Sequence, residues 1–178
     1  MTNIFITGDE TDNSFKLLLE GILSETYRIT YIKNNSAFQW GKGYELLAAD
    51  FPKFGKIEVD NPVFLLKKDC VPDFEFPPNA TVIACSENGK QIKTLKDGSL
   101  HVITCGFGKT DSFSYSSLSD DSMVVSLNRE LTAFSGKKIQ PLEVPVTIPK
   151  EADTYSVIAF TALRILLDDF NSEIGELI

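Results

Sequence analysis

Residues 3–23 decide the fold: Asn3-Ile-Phe-Ile-Thr-Gly8-Asp9-Glu10-Thr11-Asp12-Asn13-Ser14-Phe15-Lys-Leu-Leu-Leu-Glu-Gly-Ile-Leu23. The run opens as an apolar strand and turns at Gly8. It then places Phe15, Leu18, Leu19, Ile22 and Leu23 on one helical face, with Asp12 or Asn13 as the cap. Strand, glycine turn and helix make the layout of a phosphate-binding loop. Such a loop also needs a second glycine and a lysine just before the helix, to wrap and neutralise phosphate oxygens. Thr11 and Asp12 stand at those two places, so the housing is present and an acid replaces its main cation.

Outward from this loop, Tyr27–Ile32 reads as the next strand and completes a parallel strand–helix–strand unit. Gly43–Ala49 reads as a short helix, Phe51–Gly55 as a loop and Pro62–Leu66 as a strand. Residues 69–79 hold Pro72, Pro77 and Pro78, which argues against regular structure there. Ala80–Cys85 and His101–Cys105 are apolar strands, ended by Ser86-Glu87-Asn88 and by Gly106-Phe107-Gly108, with a short helix over Gly89–Leu95 between them. From 112 on, Ser112–Leu118, Ser122–Leu127, Leu131–Phe134 and Ile139–Val146 follow too closely for crossover helices, which predicts antiparallel pairing. Asp153–Phe170 is the strongest helix, with Tyr155, Ile158, Ala159, Ala162, Leu163, Leu166 and Phe170 as its buried stripe. The expectation is one α/β domain over 1–178. It comprises a mostly parallel sheet with flanking helices to about 110, an antiparallel group over about 111–147, and a terminal helix at about 153–170 that packs back on the sheet.

The chain has 178 residues, 43% of them hydrophobic, and a net charge of −8, so it can bury a core without staples. An acidic chain with no basic face disfavours nucleic acid as a partner. No apolar run is long enough to span a membrane and no signal peptide is apparent. Cys70, Cys85 and Cys105 form no CxxC and read as buried thiols of a reducing cytoplasm.

The order of the pieces resembles the central, ATP-binding domain of the Mur ligases and folylpolyglutamate synthases. Members of that family open this domain with a Thr-Gly-Thr-Asn-Gly-Lys-Thr-Thr loop, and Thr7-Gly8-Asp9-Glu10-Thr11-Asp12-Asn13-Ser14 takes its place here. Thr81–Asn88 and Val102–Gly108 fit the family's later pair of strands, and Val144-Pro145-Val146 leads into an alanine-bearing helix at Ser156–Leu163. The resemblance implies a P-loop/Rossmann-like fold, degenerate and truncated. The family's magnesium ligands belong to a stretch that is missing, and Glu151-Ala152-Asp153 replace its His-Asn pair. Neither its ligase domain nor its UDP-binding domain is recognisable. The expected function is therefore a non-catalytic, Mur ligase-like domain that lacks a working phosphate-binding loop and acts by binding a small ligand or a protein partner. No catalytic residue, metal or cofactor is assigned. The alternative is a nucleotide-binding enzyme, or a subunit of a split amide-bond ligase, with cations from Lys109, Arg129 or another chain.

Two candidate sites follow. The first is the loop from Gly8 to Ser14, where Asp9, Glu10 and Asp12 would either cap the helix themselves or hold a cation. The second joins Ser86, Glu87 and Asn88 to Gly106, Phe107 and Gly108, at the carboxyl ends of two parallel strands, where open α/β sheets bind ligands and where Phe107 could stack on a planar ring. His101, the sole histidine, begins its strand and so falls at the opposite edge.

Overall fold

A computed structural model describes residues 2–96 and 99–169. In chain order the elements are β1 (Thr2–Thr7), α1 (Ser14–Gly21), a 3-10 turn (Leu23–Glu25), β2 (Tyr27–Lys33), β3 (Ser36–Trp40), β4 (Tyr44–Phe51), β5 (Val63–Leu66), β6 (Thr81–Cys85), α2 (Gly89–Thr94), β7 (His101–Cys105), β8 (Phe113–Leu118), β9 (Ser122–Leu127), β10 (Leu131–Thr132), β11 (Lys138–Ile139), β12 (Leu142–Thr147) and α3 (Thr154–Leu166). Ten strands form one sheet in the order β12-β9-β8-β7-β6-β5-β1-β4-β2-β3, and β10 pairs with β11 apart from it. Strands β2, β4, β1, β5, β6 and β7 run parallel, and β8 joins through Cys105↔Phe113. The outer strands β3, β9 and β12 are antiparallel to their neighbours. The expected architecture, a mostly parallel sheet extended by antiparallel strands, is what forms.

The segment Gly43–Ala49 corrects the reading from sequence. It is not helical: Tyr44–Phe51 is a strand, inserted between β1 and β2 with Ile4 opposite Ala48 and Ile29 opposite Leu46. Its Glu-Leu-Leu-Ala-Ala run favours a helix by propensity, but burial between two strands overrides that weak preference. The hairpin strand β3, which no sequence pattern announced, pairs with β2 at the sheet's edge.

The two faces are covered differently. One face carries Ile4, Ile6, Leu46, Val63, Leu65, Ile83 and Ile103, and packs on Phe15, Leu18 and Leu19 of α1 and on the buried side of α3. Asp153 caps α3 by accepting from Ser156 N at 3.1 Å, as its place in the sequence suggests. Phe170, assigned to the helix stripe, lies outside the described residues. The Tyr155 hydroxyl donates to Leu66 O at 2.6 Å and ties α3 to the end of β5. Burial pushes that phenol's pKa well up, so it stays a neutral donor.

On the other face, only α2 is helical among the described residues. The connections at 52–62 and 67–80 contain no helix, although parallel strands are usually joined through one. Their place is taken by aromatic rings. Phe64 and Phe5 stack at 5.3 Å, Phe76 meets Phe64 edge-on at 4.9 Å, and Phe54 and Phe74 close the group. Rings in these offset and edge-on arrangements gain packing energy beyond the area they bury. That contact lets coil cover a sheet.

Phe64 is fully buried at the centre of this group. Phe64→Ala should lower the unfolding free energy by about 3–5 kcal/mol, because the coils cannot collapse into the space. Urea unfolding checks this; a loss under about 1 kcal/mol would mean that the rings are not what holds the coils down.

Candidate functional site

The parallel strands present their carboxyl ends along one edge, where β1 leads into Gly8, β5 into Lys67, β6 into Ser86 and β7 into Gly106. Sequence reasoning placed the second pair of turns at this edge, and the first loop lies here as well. It did not expect what fills the loop. Lys67, with 1% of its surface exposed, runs under the turn from the end of β5. Its ammonium donates to Asp9 O at 2.7 Å and to Asp12 O at 2.8 Å. It also sits 2.9 Å from Asp50 Oδ1, an ion-pair contact without a directed hydrogen bond, and donates to Oδ2 at 3.2 Å. An ammonium has three protons, and these partners take all three.

Asp50, at the end of β4, is equally buried. Tyr31 donates its hydroxyl to Asp50 Oδ2 at 2.6 Å, and Lys33 lies 3.5 Å away. Burial first, and the bond to Asp50 second, raise the Tyr31 phenol far above its ordinary pKa, so it donates its proton and carries no charge. Gly8 adopts φ +137°, and a Cβ there would lie 2.7 Å from Lys67 Cβ. The glycine is needed both for the turn and for the passage of the lysine stem.

The loop's own acids take its outward donors. Asp9 Oδ1 accepts from Thr11 N and from Thr11 Oγ1, both at 2.8 Å. Asp12 Oδ1 accepts from Ser14 N, the first N–H of α1, at 2.8 Å, while Asn13 at the N-cap position makes no side-chain capping bond. Asn13 donates to Thr11 O and accepts from Lys33 at 2.8 Å. A phosphate-binding loop points N–H groups inward at an anion. This one points carbonyls inward at a cation. Asp9, Glu10 and Asp12 do not converge, and among the described residues no three His, Cys, Asp or Glu side chains gather as a metal set.

The second pair of turns does meet. Ser86 N donates to Cys105 O at 3.0 Å, and a Cβ on Gly106 would fall 2.0 Å from Ser86 Oγ. Gly108 N donates to Asp111 Oδ2 at 3.0 Å. The remaining groups are occupied by structure. Asn88 caps α2 by accepting from Gln91 N, and it donates to Lys68 O and Cys70 O. Gln91, fully buried, accepts from Cys85 N and donates to Lys67 O and Cys70 O. Phe107 packs edge-on against Tyr115 at 5.2 Å. The hollow of about 500 Å³ at this edge touches Glu87 and Asn88 but is completed by Lys68, Lys90 and Lys93, away from Gly106–Gly108.

Lys67, Asp50, Tyr31 and Gln91 are the residues that sequence reasoning missed. The available signal was position: Lys67 is the first residue after the apolar run Val63–Leu66, at the carboxyl end of a parallel strand. Arg129, considered as a replacement cation, donates instead to Thr110 O, and Lys109 belongs to the turn after Gly108. His101 is exposed at the opposite edge, as its place in the strand predicts.

No family model matches the sequence, and no curated protein matches it. The fold nevertheless has clear relatives. It is a Mur ligase-like α/β fold. A crystal structure of MurF from Acinetobacter baumannii superposes with a TM-score of 0.54 over 94% of this chain, at 14% identity. A second crystal structure of the same enzyme gives 0.50 at 13% identity. The chain spans 43% of the length of either. Among the described residues no helix is long and apolar enough to cross a membrane.

Lys67→Met should destabilise the protein by about 3–5 kcal/mol, because it leaves the buried Asp50 carboxylate with only the longer contact to Lys33 as its ion pair. Adding Asp50→Asn should restore part of that loss in urea unfolding. A double variant as unstable as the sum of the two single ones would break the pairing argument.

The Thr11 backbone bond, and then the Thr11 hydroxyl, hold the Asp9 carboxyl below its ordinary pKa of 3.8. Its contribution is therefore complete above the unfolded value near 3.8 and is lost as pH falls through the lower folded value. Thr11→Ala should raise the Asp9 midpoint, read by carbon NMR, while leaving it below 3.8 because the backbone donor remains.

Proposed function

We propose that this chain is a non-catalytic, Mur ligase-like domain whose first loop does not serve as a nucleotide site and which works by binding a small ligand or a protein partner. The observation that carries this reading is the Lys67 ammonium inside the loop, bonded to Asp9 O and Asp12 O and paired with Asp50. A phosphate seated there would have to displace an ammonium that has no proton left to offer it. It would also meet inward carbonyls and the outward carboxylates of Asp9 and Asp12, each repelling an anion by about 1 kcal/mol in a partly screened setting. The lost loop lysine is thus not replaced in function by Lys67, which answers to the fold and not to a ligand. The comparison with MurF supports the scaffold. The activity of that whole enzyme is not carried over to a chain spanning 43% of its length.

The test is thermal unfolding with ATP and magnesium, beside a Mur ligase as positive control. Nucleotide bound at a hundredfold excess over its Kd would add about 2.7 kcal/mol of stability, which for a chain of this size raises Tm by roughly 5–10 °C. We expect no rise. A rise of that size, or ATP hydrolysis by the purified chain, would favour instead an enzyme or a subunit of a split amide-bond ligase.

A further inference from the structure

A small hollow of about 210 Å³ opens beside the first loop, between the start of α1 and the β2–β3 hairpin. Its chemistry is unlike that of the rest of this acidic surface. Lys16 and Lys33 line it together with Asn13, Asn34, Ser36 and Phe38, and no carboxylate does. The hollow beside α2 mixes Asp69 and Glu87 with its lysines, and the one at the opposite edge of the sheet carries Asp60 and Glu130.

The two ammonium groups are held differently. Lys33, 14% exposed, is fixed by Asn13 Oδ1 at 2.8 Å and by its contact with Asp50 at 3.5 Å. Lys16 has no carboxylate within ion-pair distance among the described residues. Its Nζ rests instead 5.0 Å from the centre of the Phe38 ring and 5.8 Å from that of Trp40. Those two rings are stacked, 5.8 Å apart and 10° from parallel, and Phe38 is 41% exposed. A flat apolar wall thus stands beside a cation without a carboxylate partner, and a second, rigid cation lines the same hollow. Asn34, at φ +52°, turns the hairpin so that its polar tip forms the rim.

We infer that this hollow is a binding site for a small planar carboxylate, with the carboxylate between Lys16 and Lys33 and the flat body against Phe38. The hollow has room for a body of benzoate size. Ammonium–carboxylate bonds supply the attraction, and the ring fixes orientation. The site gives a location and a ligand class to the small-ligand half of the function proposed above. It does not depend on the nucleotide result: ATP binding in the first loop would overturn that function and leave this site standing.

The probe is sodium benzoate, titrated at constant ionic strength into the isotope-labelled full chain and followed by amide NMR. Saturable shifts should centre on Lys16, Lys33, Asn34 and Phe38, with a Kd of about 1 mM, as befits so few ligand atoms. Lys16→Gln should weaken binding about tenfold or more, the usual worth of a hydrogen bond to a charged group. Phe38→Ala should weaken benzoate but leave acetate unchanged. Both changes lie at the surface, and an unaltered spectrum away from the site establishes that each variant is folded. Shifts that do not saturate, or that spread over the whole surface, would overturn the proposal. So would a Lys16→Gln variant that binds benzoate as well as the parent.

Discussion

Lys67 and Asp50 face each other at 2.9 Å in a part of the protein that water does not reach. Removing two charges from water costs several kcal/mol for each, and attraction offsets this only where the remaining valences are also met. Here Asp9 O, Asp12 O and Asp50 Oδ2 take the ammonium's protons, and Oδ2 also accepts from Tyr31 with Lys33 beside it, while Oδ1 keeps only its charge contact with Lys67. The pair therefore joins β5 and β4 to the first loop and, through Tyr31, to β2. Gln91 extends the same arrangement by bonding Lys67 O, which draws α2 and the end of β6 toward it. Four strand ends keep their positions because one ammonium does.

This changes the meaning of the first loop. Its strand, glycine turn and helix have the layout of a phosphate-binding loop, and those three elements form in the structure. The polarity is reversed. In place of a ligand's negative charge drawn to backbone N–H groups, a side chain's positive charge is drawn to backbone carbonyls. The acids that look hostile to phosphate in the sequence have local tasks, since Asp9 organises the turn and Asp12 takes the first N–H of α1.

How much of this was legible depends on the range of the interactions. Strands β1, β5, β6 and β7 were readable because each is an apolar run ended by a turn, and α3 because its stripe and cap are local. The strand at Tyr44–Phe51 was not readable, since its local preference is helical and only burial between β1 and β2 decides it. The coil-covered face was half legible: the prolines at 72, 77 and 78 excluded a helix, but nothing local said that Phe5, Phe54 and Phe74 would meet around Phe64. The site divides the same way. The contact between Asp12 and Ser14 N spans two residues. The contact between Lys67 and Asp9 spans 58 residues and has no sequence signature beyond a lysine at a strand end.

A lysine with so little of itself in water is also chemically silent. Acylating reagents need an amine they can approach, and Lys67 in the closed loop offers no approach. Surface lysines such as Lys42 and Lys90 would be labelled first. Whatever label Lys67 slowly acquires would count the moments when the turn lets go of it, which makes this side chain a clock for local opening at the edge of the sheet.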